Sequence, residues 1–152
     1  MTSPPTKEVN DVEDDRGAIQ NLLARYCQVY DDGDLAAYAA LFEGATIDGP
    51  LGQLNGSQEV FDRQTQTCVM YDGIPRTRHC ITNVSIEIAD DALTARASCY
   101  VTIIQQTPEL PLQPIFVGQY RDELKKVRGE WRFHHREAVP FLVGDTTHHS
   151  RH

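Results

Sequence analysis

Apolar residues follow two different rhythms along this chain, and the change falls at Pro75. Before it, Ile19, Leu22, Leu23, Tyr26, Val29 and Tyr30 recur at steps of three and four, the spacing of one face of an α-helix. Asp14 and Asp15 stand just ahead of this stripe and supply N-cap oxygens and negative charge, both favoured at a helix start. The stripe ends near Tyr30 at the run DDGD, where Gly33 suits a helix C-cap and Asp34 caps a second short helix, LAAYAALF. ATIDGP reads as a short strand, LGQLNG as a loop, SQEVFDRQTQTCVM as a third helix and MYDGIP as a turn.

After Pro75 the pattern turns to β-rich runs at 76–88, 93–105, 114–124 and 131–141, separated by ADDA, TPELPLQP and KKVRGE. Connections of that length predict an antiparallel, meandering sheet. Helices first and strands afterwards imply an α+β class with the helices on one face of the sheet. A curved sheet closed by helices leaves a concave cavity, the usual place for a small ligand. The 152 residues fit one domain, placed at 14–143 between flexible tails at 1–13 and 144–152.

Charge narrows the function classes. The net charge is −8 and the 14 basic residues are scattered, which argues against nucleic acid, since phosphate neutralisation needs a clustered basic surface. No apolar run approaches a membrane span, and the acidic N-terminus lacks the apolar stretch of a signal peptide, so the expected location is cytoplasmic. Cys27, Cys68, Cys80 and Cys99 form no CxxC pair and read as small buried apolar residues. Among the six histidines, His148, His149 and His152 fall in the polar tail with no structured partner, and His134 and His135 point to opposite faces of a strand. No metal site and no cofactor are therefore expected.

Specific words in the sequence go further. AIQNLLARYCQVYDDGDLAAYAALF ends a helix in Tyr-x-x-x-x-Asp, turns at Gly-Asp and closes a short helix with Leu-Phe. TRHCITNVSIEI opens a long strand with Arg-His and has Thr-Asn close behind; GQYRDEL and GEWRFHHREA make a final hairpin. Together, over roughly residues 15–142, these segments resemble the SnoaL-like family of the nuclear-transport-factor-2-like superfamily. The resemblance implies a cone-shaped barrel: three N-terminal helices packed on a strongly curved antiparallel sheet around one pocket. Its relatives include scytalone dehydratase, a bile-acid dehydratase, a dehydrochlorinase, ketosteroid isomerase, limonene epoxide hydrolase and the small subunits of ring-hydroxylating dioxygenases. Many others have no catalysis, so the fold alone leaves function open.

In the dehydratase and dehydrochlorinase branch, an Asp at the end of the first helix orients a His at the start of the first long strand. The resemblance assigns these places to Asp31 and His79, a pairing in which a buried carboxylate fixes the imidazole tautomer and stabilises the imidazolium. Tyr26 stands where the bile-acid dehydratase type has a Tyr that holds the polarised oxygen. Five residues are about 140° round a helix, so Tyr26 and Asp31 do not share a face, and a core aromatic is the competing reading. On the last strand, alternation puts Trp131, Phe133 and His135 on one side and Arg132, His134 and Arg136 on the other, which brings His135 inward. The family often has a basic residue near here, and either His135 or Arg136 is a candidate. Tyr100 and Tyr120 from neighbouring strands, and Asn83 on the strand of His79, are candidate ligand-contacting residues. ASCYVTII lacks the second strand histidine of scytalone dehydratase, a role left to His135 if it exists here.

These residues lead to a cofactor-free lyase of the dehydratase type, or an isomerase, acting on a small hydrophobic hydroxylated, aromatic, polyketide or steroid-like molecule. The alternative is a non-catalytic ligand-binding or accessory subunit like the dioxygenase small subunits. Epoxide hydrolysis is less attractive, because its pair of strand carboxylates is missing. The resemblance further implies a homo-oligomer, dimer or trimer, with the dehydratase relatives favouring the trimer; charge and hydropathy lead to no nucleic-acid or membrane partner.

Overall fold

The computed structural model describes residues 7–151, with side-chain environments from Glu13 onward. Helix α1 spans Lys7–Asp31, α2 Leu35–Ala40 and α3 Gly56–Thr67. The strands are β1 Thr46–Gly49, β2 Gly52–Asn55, β3 Thr77–Ile88, β4 Thr94–Gln105, β5 Gln113–Val127 and β6 Glu130–Val143. All six form one curved, unclosed sheet in the order β2-β1-β6-β5-β4-β3, with the three helices packed against it. The α+β cone architecture is thus present, with the four long strands antiparallel as expected.

Several local expectations need correction. LGQLNG contains β2, which pairs antiparallel with β1, and β1 in turn pairs parallel with β6, so the meander carries a hairpin added at its edge. Helix α1 does not start at Asp14 and Asp15 but runs through them from Lys7. Asp15 is buried and accepts a 2.8 Å hydrogen bond from the Trp131 indole, a tie between helix and sheet rather than an N-cap. Cys80 is exposed, whereas the other three cysteines are buried and free.

The core follows from the apolar stripe. Ile19, Leu23, Tyr26, Cys27 and Tyr30 of α1 pack with Phe42 and Val60 against inward residues of the sheet, among them Cys99, Val101, Leu124 and Phe133. The turn after α1 is held by close approach: a Cβ on Gly33 would lie 2.1 Å from the Gly73 carbonyl oxygen, and its φ of +80° is one that side chains resist. Asp34 then accepts from Ala37 N–H at 3.0 Å and starts α2, as its place in DDGD predicts.

Two bulges decide which side chains face inward. In β3 the register with β4 shifts between Thr82 and Ser85, and Asn83 adopts a φ of +53° there. In β6, Phe133 pairs with Leu124 and His135 with Glu123, so His134 is an extra residue. The alternation therefore changes phase: Trp131 and Phe133 point inward, and so do Arg136 and Ala138 beyond the bulge.

Candidate functional site

The last turn of α1 delivers Asp31 to the first residues of β3, where it is nearly enclosed. Asp31 Oδ1 accepts from the Thr77 hydroxyl at 2.8 Å and lies 2.6 Å from His79 Nδ1; its Oδ2 accepts from the His79 backbone N–H at 2.8 Å. Burial by itself pushes the Asp31 carboxyl up, but the hydrogen bonds and charge of His79, with Thr77, bring it below the usual carboxylate range. An ionised Asp31 assigns the ring proton to Nδ1 and leaves the lone pair on Nε2, the nitrogen available to the cavity.

His79, and not Asp31, lines that cavity, which has a volume of about 330 Å³. Its helical wall carries Tyr26, Tyr30 and Tyr38, and its sheet wall Ile103, Phe116, Tyr120, Ala138 and Pro140. The 140° between Tyr26 and Asp31 is accommodated because they act from different sides. Tyr26 faces the cavity directly, with its ring centroid 6.5 Å from that of His79, while Asp31 stands behind the imidazole.

The tyrosines form a connected set. Tyr38 donates to the Tyr26 hydroxyl at 3.0 Å, and Tyr30 donates to Cys68 Sγ at 3.3 Å. Burial holds Tyr30, Tyr38 and Tyr120 well above the ordinary phenol pKa, so they remain hydrogen-bond donors at neutral pH.

Beneath Tyr26 and Tyr120 lies Arg136, which is fully buried. Burial disfavours its charge, but Asp122 restores it through two bonds, Nε to Oδ1 at 2.7 Å and Nη2 to Oδ2 at 2.8 Å. The guanidinium carbon sits 4.1 Å from the Tyr26 ring centroid and 4.0 Å from that of Tyr120. Arg136 thus supports the cavity floor from behind and does not line the cavity.

Three sequence candidates lie elsewhere. His135 does not turn inward: the His134 bulge sends it to the opposite face, where its Nδ1 bonds the Thr46 hydroxyl. Tyr100 alternates with buried Cys99 and Val101, so it faces outward, 45% exposed, against Phe141. Asn83 is exposed at its bulge, away from His79.

Sequence reasoning missed Tyr30, which it read only as part of the α1 stripe, and Tyr38, which it did not single out, and it missed His149. The segment after β6 is not without a structured partner: Cys68 and Ser150 form a bridge, and Val69 N–H donates to the His149 carbonyl at 3.0 Å. The His149 ring lines the cavity beside Tyr30 and His79. Only the histidine count in THHSRH could have signalled it. Among the described residues, no three His, Cys, Asp or Glu side chains gather as a metal-binding group. Nor is any described helix long and apolar enough to cross a membrane.

Comparison with solved structures supports this fold. A candidate scytalone dehydratase from Novosphingobium aromaticivorans is 26% identical, with a TM-score of 0.72 over 92% of this chain and 91% of that one. A protein of unknown function from Mycobacterium tuberculosis is 22% identical, with a TM-score of 0.74 over 89% of this chain and 76% of its own. The β subunit of a candidate aromatic-ring-hydroxylating dioxygenase, also from Novosphingobium aromaticivorans, has a TM-score of 0.72 at 16% identity, covering 95% of this chain and 99% of that one. No curated protein sequence matches the chain. The SnoaL-like domain matches residues 12–137, from α1 through the Asp31–His79 pair to Arg136, and to this family the chain belongs.

Proposed function

We propose that the protein is a cofactor-free lyase of the dehydratase type, acting on a small, mostly apolar, hydroxylated molecule. The observation that carries this reading is the 2.6 Å Asp31–His79 contact, with His79 opening onto a cavity walled by tyrosines and apolar side chains. A carboxylate-backed imidazole beside an apolar cavity is suited to removing a proton from carbon. His79 Nε2 takes the proton, the C–H electron pair becomes the new double bond, and the C–O bond on the neighbouring carbon breaks. The departing oxygen takes the proton back from the imidazolium and leaves as water, so the enzyme returns unchanged. Tyr26, with Tyr38 donating to it, holds the oxygen on which negative charge develops. An isomerase would use the same first proton transfer and return the proton to another carbon.

The sheet face opposite the helices bears the exposed pair Tyr100 and Phe141, and self-association as a dimer or trimer is proposed through that face.

The test is a panel of bicyclic β-hydroxy ketones, with loss of water followed by mass spectrometry. His79→Ala is expected to abolish turnover while the protein remains folded by circular dichroism. Turnover that survives in His79→Ala refutes the reading. A folded protein that turns over no member of the panel, but co-purifies with a large iron-containing subunit, transfers the assignment to the accessory role.

A further inference from the structure

Proton removal by His79 uses one side of the cavity; another part of its wall comes from the segment that follows β6. Residues 145–151 are fastened at several points. Val69 N–H donates to the His149 carbonyl at 3.0 Å, and Arg151 N–H donates to the Thr67 carbonyl at 2.7 Å. The His148 carbonyl accepts from the Tyr71 hydroxyl at 2.8 Å and from Gln105 Nε2 at 3.0 Å. Gln105 is 1% exposed and its Nε2 also donates to the Pro75 carbonyl at 3.1 Å, so this clasp is anchored in the core.

The clasp fixes the backbone on both sides of His149 and holds its ring at the cavity wall. The ring centroid lies 5.8 Å from that of Tyr30 and 6.5 Å from that of His79, each at a steep angle. His149 Nδ1 is closed off from solvent and has no hydrogen-bond partner among the described residues. An atom enclosed to that degree is not reached from the cavity, which leaves Nε2 as the ring nitrogen that can meet a ligand there.

We propose that His149 is a ligand-contacting residue supplied by the C-terminal segment, whose imidazole hydrogen-bonds an oxygen of the substrate and so selects oxygenated ligands over plain hydrocarbons. The proposal rests on reading the cavity as the substrate site and names the substrate class that site takes. Burial and the neighbouring His79 hold the His149 pKa down to about 4, against a smaller opposing pull from Asp31. At neutral pH the ring is therefore uncharged, and its reachable nitrogen offers either an N–H or a lone pair to a ligand oxygen. The two imidazoles of the cavity differ in kind. His79 has a carboxylate behind it and is a competent base; His149 has none, so its part is to bind oxygen rather than to take a proton.

The experiment measures binding of 2-naphthol and of naphthalene by fluorescence, in the wild type, His149→Phe and His149→Gln. One neutral hydrogen bond corresponds to a preference of about tenfold for the naphthol. That preference is expected in the wild type, lost in His149→Phe and largely restored in His149→Gln. Should His149→Phe fold poorly, ¹⁵N spectra of the wild type provide the second measurement: the His149 ring resonances should move with 2-naphthol and stay still with naphthalene. Equal affinities in the wild type, failure of both probes to bind, or a preference that survives His149→Phe overturns the proposal. Because binding is read and not turnover, an inactive His79 leaves this result unaffected, and the two readings fail separately.

Discussion

Replacing Asp31 by Asn changes one atom and reverses the logic of the pair. Wild-type Asp31 accepts three hydrogen bonds, from the Thr77 hydroxyl, the His79 backbone N–H and the His79 ring. The backbone N–H can only donate, so the Asn carbonyl must turn towards it, and the amide NH₂ then faces Nδ1. A donor there is satisfied only when Nδ1 carries the lone pair, which moves the ring proton to Nε2 and removes the base from the cavity. Losing the charge-assisted bonds while keeping neutral ones costs about 2 kcal/mol of stability at pH 7. Turnover should fall on the order of ten-thousandfold, as for other imidazole bases given the wrong tautomer.

Acid lowers this stability difference. The folded carboxyl of Asp31 sits below its ordinary range, so its contribution is complete above about pH 4 and is lost as pH falls through the lower folded value. Urea unfolding at pH 7 and pH 3, together with ¹⁵N spectra of the imidazole, tests both parts. The gap between wild type and Asp31→Asn should narrow at pH 3, and the variant should show the Nε2–H tautomer. A variant as stable as the wild type at pH 7 that keeps the Nδ1–H tautomer would refute the reasoning.

Other outcomes follow from neighbouring features. Arg136→Ala leaves Asp122 buried without its partner and should cost about 3–5 kcal/mol in urea unfolding; a loss below about 1 kcal/mol contradicts the buried pair. Gly33→Ala must displace the Gly73 carbonyl and adopt an unfavourable φ, so at least about 2 kcal/mol should be lost in thermal unfolding. His149 is depressed from 6.5 to about 4 in the folded chain, so protonation favours the unfolded or opened state. Its contribution, up to about 3 kcal/mol, is complete above about pH 6.5 and lost as pH falls towards 4. His149→Phe should remove that slope from stability measured across this range, and a slope unchanged in the variant speaks against it.

Much of this site could be read from residue order because it depends on local rules. The stripe on α1, the DDGD stop and the Arg-His opening of β3 bring Asp31 and His79 to adjoining ends of consecutive layers, and the resemblance supplied the pairing. What failed was non-local or one residue out of phase. Strict alternation along WRFHHREA put His135 inside, since nothing in those letters reveals that His134 is unpaired opposite Glu123 and Leu124. The same kind of insertion turned Asn83 away from the cavity. His149 was missed for a different reason: a polar segment with no periodicity gives no sign that it will pair with residues 67–69, some eighty positions earlier.

The unpaired His134 also bears on how relatives should be matched to this chain. A relative whose final strand lacks that extra residue will carry its inward arginine one position closer to the hairpin. Lined up without a gap, its arginine would be equated with His135 here, a residue on the opposite side of the sheet. A profile built from such ungapped columns would report a variable, mixed basic position where each protein has a fixed one. Sequence surveys of this strand should therefore place a one-residue gap between Phe133 and Arg136 before asking whether the buried guanidinium is shared.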